Sequence, residues 1–186
     1  MTNDITLPDD STRPEPFEFD DLTDAEMEPA RHLAMIHDGQ RQNMRLLREM
    51  IETARRGEIT AADIDAAAKS LPLLENYRRF GSLCGQHCHI VHSHHSIEDA
   101  YLFPALSTKA EVYRRIIARL TEEHDIVHAL ILRLMEQLKA LLATPTQPAF
   151  DAAVGTYDKL ETLLLSHFSY EERAIGPALG RYRIGV

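Results

Sequence analysis

Apolar residues return at helical spacing along most of this chain, and no stretch alternates as a strand would. From about Asp24 to Arg56, Leu33, Met35, Ile36, Met44, Leu47 and Ile51 mark one face, and Gly57 stands where a C-terminal cap belongs. Thr60 with Asp63 reads as a capping box with Asp in place of Glu. It opens a second helical stretch that runs to Phe103 and stops at Pro104, with Pro72, Gly81 and Gly85 placed to kink it. A third helix is expected from about Lys109 to Ala143, before the TPTQP loop, and a fourth from about Ala149 to Gly176. Short connections between four helices predict an all-α, antiparallel up-down-up-down four-helix bundle. Residues 24–180 would form it, preceded by a flexible acidic, proline-rich N-terminal arm over 1–23 that packs down through Phe17 and Phe19, and followed by a tail over 181–186.

Composition narrows the function classes. With 186 residues, 44% hydrophobic, and no apolar run near the roughly 20 residues that cross a bilayer, one globular domain and no membrane span are expected. A net charge of −9 disfavours nucleic acid and anionic membranes, which need basic patches to displace counterions. The start MTNDITLPDD lacks the basic and apolar segments of a secretory signal, so a cytoplasmic setting is expected. Two cysteines do not suggest a disulfide framework.

Ten histidines are the unusual feature. His87, His89, His92, His94 and His95 crowd one segment. Positions four apart on a helix differ by about 40° and project from one side. That test selects His94 with Glu98 on helix two, His124 with His128 on helix three and His167 with Glu171 on helix four. Helix one offers His37. Each lies on its helix's apolar stripe: His37 with Leu33 and Met44, His94 with Ile90 and Ile97, His124 and His128 with Leu120 and Ile131, His167 with Leu163 and Ala174.

Unpaired imidazoles and carboxylates in an apolar interior cost several kcal/mol each, a cost that a bound cation removes. Imidazole and carboxylate donors suit iron, manganese, zinc or copper. Seven donors exceed one ion's needs. Two six-coordinate ions about 3.5 to 4 Å apart, bridged by Glu98, Glu171 and a solvent oxygen, would use all seven and leave one position open for a small ligand. Ferritin-type di-iron bundles use Glu-x-x-His motifs, and the sequence contains none.

The segments LAMIHDGQRQNM around His37, HHSIEDAYLFP from His94 to Pro104, EEHDIVH, and HFSYEERAIGP resemble the hemerythrin HHE cation-binding family over roughly residues 30 to 180. The resemblance implies a four-helix bundle around an oxo- or hydroxo-bridged centre of two iron ions, held by His37, His94, Glu98, His124, His128, His167 and Glu171. Family members bind dioxygen, react with peroxide or nitric oxide, or sense iron and oxygen. The last ligand has two candidates. True hemerythrins place an Asp five residues after the histidine, which corresponds to Glu172, whereas the HHE pattern places Glu at four, which is Glu171.

Other residues invite roles around such a site. His87 lies one heptad before His94, roughly 10 Å along the helix, and is a candidate for a supporting or channel position. Tyr101, three residues after Glu98, is a candidate hydrogen-bond donor to a ligating carboxylate or the bound species. Cys84, Cys88 and His92, with His95 nearby, form a stripe that either binds a soft ion such as zinc or consists of small buried residues beside exposed histidines. His32, His89 and His92 point away from the expected core. Arg41 and Arg48 fall on the inner side of helix one, where they need an opening to solvent or a carboxylate partner.

These features lead to a protein that binds or turns over oxygen, peroxide with catalase-like release of oxygen, or nitric oxide. His87, Tyr101 and Tyr170 as proton or electron carriers favour redox reactivity over storage. The alternatives are a sensor or interaction module in which metal or ligand state reorders the arm, and a purely structural metal site such as zinc.

Overall fold

The computed structural model describes residues 5–53, 86–144 and 146–185, and those residues are helical or irregular, with no strand among them. A 3-10 turn (Asp10–Thr12) precedes α1 (Glu28–Thr53). Helix α2 covers residues 86–107: α-helical over 86–97, a π turn (Glu98–Leu102), then α-helical again (Phe103–Ser107). Next come α3 (Glu111–Ala143), α4 (Gln147–Ala174) and the short α5 (Gly176–Arg181). No described helix is long and apolar enough to cross a membrane. Gly57, the Thr60–Asp63 box, Pro72, Gly81, Cys84 and Gly85 lie outside the described residues.

Local chemistry sets the helix ends. Thr23 and Glu26 exchange bonds as a capping box, Thr23 N–H to Glu26 Oε2 at 2.9 Å and Glu26 N–H to Thr23 Oγ1 at 3.3 Å, in the turn that leads into α1. Thr146 caps α4 by accepting from the Ala149 N–H, with Pro148 in the first turn, where its missing N–H costs nothing. Pro104 does not end α2 as expected. In the π turn the Phe103 N–H reaches back to the Glu98 carbonyl, so the backbone has already left the i−4 pattern that proline disrupts, and the helix continues to Ser107.

Two apolar clusters fill the interior. One contains Met44, Val91, Val127 and Leu164, the other Leu33, Leu102, Leu120 and Ala174. On every long helix polar residues stand where one cluster gives way to the other: His37 on α1, His94, His95 and Glu98 on α2, His124 on α3, His167 and Glu171 on α4. A polar layer is therefore sealed between two greasy ones. At the end of the second cluster Gly180 lies against α1's approach, where an added Cβ would fall 1.6 Å from the Glu26 carbonyl oxygen.

Residues ahead of α1 lie on α3 and α4. The Tyr170 hydroxyl donates to the Pro14 carbonyl at 2.8 Å, Lys159 Nζ to Ile5 O at 3.0 Å, and Arg119 Nη2 to Asp9 O at 2.9 Å. Phe19 packs against the second cluster, whereas Phe17 is exposed.

Candidate metal centre

Helical spacing and the two apolar clusters bring donors from four helices into one buried layer. Two groups form, His37 with His94, Glu98 and Glu171, and His95 with His124 and His167. Glu98 Oε1 stands 3.1 Å from His94 Nε2 and its Oε2 stands 3.7 Å from His124 Nε2. Glu171 Oε2 is 3.4 Å from His37 Nε2 and 3.5 Å from His167 Nε2. Each carboxylate thus faces both groups, as a bridging ligand would.

The outer edges of three imidazoles are held by acids from neighbouring helices. Nδ1 of His37 meets Glu172 Oε1, Nδ1 of His124 meets Asp99 Oδ1, and Nδ1 of His167 meets Glu123 Oε2, each at 2.9 Å. Every one of these acids is the sequence neighbour of a residue in the layer: Glu172 of Glu171, Asp99 of Glu98, Glu123 of His124. A carboxylate on Nδ1 fixes the proton there and turns Nε2 inward as a lone pair, the arrangement of carboxylate–histidine–metal triads.

A cation fits this donor set. Nε2 of His124 and Nε2 of His167 face each other at 3.2 Å, although the acid on each Nδ1 makes both inner atoms lone pairs, which repel without a cation between them. Nitrogens bound about 2.1 Å from one ion at right angles sit about 3.0 Å apart, matching this spacing and the 2.9 Å between Nε2 of His37 and His94. Both oxygens of Glu98, both of Glu171 and both ring nitrogens of His95 are buried without a hydrogen-bond partner, a concentration of unmet polar atoms that a folded interior does not tolerate without a ligand.

Electrostatics of the metal-free protein show the same strain. Burial, followed by the charge of Glu171, raises the Glu98 carboxyl well above its ordinary range. Burial pushes Glu171 in the same direction, but the nearby His37 ring and the other imidazoles around it outweigh it and hold that carboxyl low. Burial opposes a proton on His37, and Glu171 and Glu172 overcome it. Burial holds His94 at about 4 and drives His95 and His167 down.

The structure brings together His37, His94, Glu98, His124, His167 and Glu171 of the expected donors. His128 lies outside both groups. It is half-buried, and its Nε2 meets Nδ1 of exposed His92 at 3.3 Å; Val127, one residue earlier, takes the inward position on α3. His95 stands in the layer instead, 0% exposed and stacked on His124 at 3.8 Å. Ile90 and Ile97, used to locate the inner face of α2, are exposed, whereas Val91, His95, Glu98 and Leu102 are buried. That stripe, i, i+4, i+7 and i+11, was the signal for His95. Glu172 lies in the outer position on His37 and also pairs with Arg41 at 2.8 Å. The acids Asp99 and Glu123 were missed; their adjacency to Glu98 and His124 was their only mark in the sequence.

Tyr101 is turned to solvent at 71% exposure and does not reach a carboxylate of the layer. The π turn that contains it changes the rotation per residue, so three positions after Glu98 no longer falls on the inner face. His87 is buried, neither ring nitrogen has a hydrogen-bond partner, and burial holds it at about 4. Tyr170 is committed to the Pro14 carbonyl. Cys88 is buried, and His32 and His89 are exposed. Arg48 pairs with Asp158 and Glu161 of α4, which accounts for its inward position.

Compared with known families, residues 28–179 match the model described as Hemerythrin HHE cation binding domain. No curated protein and no solved structure matches the chain significantly.

Proposed function

The chain belongs to the hemerythrin HHE cation-binding domain family, and from that premise we propose that it holds two iron ions and binds or reacts with dioxygen, peroxide or nitric oxide. The observation that carries the reading is the pair of carboxylates, Glu98 and Glu171, each facing both histidine groups. His37 and His94 would hold one ion, His95, His124 and His167 the other, and Glu98 and Glu171 would bridge them. The clusters alternate in order along successive helices, second then first on α1 and α3, first then second on α2 and α4, which supports the up-down-up-down arrangement.

Iron bound there would supply reversible electron transfer to a small oxidant. The protein's own groups set the conditions. Asp99, Glu123 and Glu172 orient the imidazoles, while Phe103, stacked on His124, and Phe168, stacked on His37, exclude water. With Tyr101 in solvent and the Tyr170 hydroxyl committed to the Pro14 carbonyl, neither supplies a proton inside the layer, which favours binding over rapid peroxide turnover.

Metal analysis of protein grown with ample iron should give two iron ions per chain, with optical bands that change on adding oxygen, peroxide or nitric oxide. Well under two ions per chain would overturn the reading; a protein that stays colourless after iron and air would favour structural zinc. A sensing role has one observation in its favour. Arg13, in the segment ahead of α1, donates two hydrogen bonds to Glu123, at 2.9 and 3.0 Å, and Glu123 holds His167. Proteolysis of that segment that is unchanged by metal or ligand would remove this second reading.

A further inference from the structure

Three acids stand on the outer imidazole edges of the buried layer, and the charges around them differ. Glu172 is covered by the Arg41 guanidinium at 2.8 Å. Glu123 is gripped by Arg13 and Arg119, at 2.9 and 2.7 Å. A positive ion is repelled at both. Asp99, the third, has no arginine or lysine partner among the described residues, nor does Asp125 one turn before His128 on α3, and the negative charges of both act on His128.

On that third side the imidazoles form a column from solvent to the interior. His92 is exposed, and its ring centroid lies 4.7 Å from that of half-buried His128. His128 lies 5.6 Å from fully buried His95, whose ring stacks on His124 at 3.8 Å. The outermost pair has the spacing of a metal site. Two nitrogens bound about 2.1 Å from one ion in tetrahedral geometry are about 3.4 Å apart, and Nδ1 of His92 stands 3.3 Å from Nε2 of His128.

We propose that His92 and His128 form a capture site for a divalent transition-metal ion, which enters from solvent there and passes by way of His95 to the buried donors. The proposal rests on the preceding reading that the layer holds metal. On capture the imidazole that donates in the His92–His128 hydrogen bond shifts its proton to its other ring nitrogen, so both present lone pairs and no net proton is lost. His95, with neither nitrogen hydrogen-bonded, exchanges one coordination for the next without breaking a hydrogen bond. His128 then belongs to the entry path and not to the final ligand set.

The test is anaerobic loading of the metal-free full chain with ferrous ion, quenched by a chelator at timed intervals, with retained iron counted. His92→Ala, at an exposed position that leaves folding intact, should slow loading by at least about tenfold, the low end of the effect that local capture of an ion has on association rates. Its final iron content should equal the wild type's, and His92→Asp, which restores a ligand, should recover most of the rate. Unchanged loading in His92→Ala would overturn the proposal. A reduced final content in His128→Ala would overturn it too, by making His128 an inner ligand. If the wild-type chain retains no iron at all, the reading of the layer itself fails, which is a separate result.

Discussion

Glu172 accepts a hydrogen bond from Nδ1 of His37 at 2.9 Å, while its sequence neighbour Glu171 faces Nε2 of the same ring at 3.4 Å. Adjacent acids on α4 thus hold opposite edges of one imidazole, one toward Arg41 and the surface, the other in the interior. Glu171→Gln should abolish binding of at least one iron ion, because it removes a carboxylate common to both groups. Glu172→Gln should keep two ions with affinity about 10–100-fold weaker, the usual effect of loosening an outer partner of a metal-binding histidine. Metal titration of both variants measures the contrast; equal losses would show that the two acids are not divided in this way.

His95→Ala should retain about one iron per chain, since it strips a donor from the His124–His167 group and leaves the His37–His94 group intact. Elemental analysis and the intensity of the optical bands report this directly. Full metal content in that variant would place His95 among packing residues.

Arg13 is nearly buried against fully buried Glu123, so Arg13→Gln should lower stability by about 1–3 kcal/mol through an incompletely paired carboxylate. Burial raises the Glu123 carboxyl, but hydrogen bonds from His167, Arg13 and Arg119 outweigh it and hold it at about 2, below the ordinary 4.5. A depressed carboxyl contributes stability above pH 4.5 that is lost as pH falls toward 2. Denaturant unfolding of the metal-free protein should therefore show a smaller acid loss in Arg13→Gln than in the wild type.

His87 loses stability in the same pH direction, but its replacement has the opposite effect. Burial holds it at about 4 against an ordinary 6.5, so between those values the unfolded chain takes a proton that the folded chain refuses, and stability declines as pH falls through this window. His87→Leu should raise the stability of the metal-free protein at pH 7 by about 1–3 kcal/mol, the cost of a buried polar group without a partner. It should also flatten the pH dependence between 6.5 and 4. A destabilised His87→Leu would mean that the ring has a polar role in the fold.

Much of this protein could be read from one dimension. Helical periodicity located α1, α3 and α4 to within a few residues, and the four-residue spacing of His94 with Glu98 and of His167 with Glu171 picked donors that the fold brings together, because a helix repeats its facing residues by rule. Periodicity fails where the backbone departs from it. The π turn at Glu98–Leu102 carried the helix through Pro104 and turned Tyr101 outward, and no propensity along the chain announces such a turn.

Choices between near-equivalent residues were made only by packing. His94 and His95, Glu171 and Glu172, and His124 and His128 offer the same chemistry at positions a fraction of a turn apart. Whether one or both of a pair enter the interior, and which, depends on the roll of each helix against its neighbours. That roll follows from burying Val91 and Val127 in one apolar cluster and Leu102 in the other, a sum over contacts from several helices that no single segment contains. The outer acids depend on it most. Asp99 and Glu123 are ordinary surface charges in the sequence and become partners of His124 and His167 only when α2, α3 and α4 are set side by side.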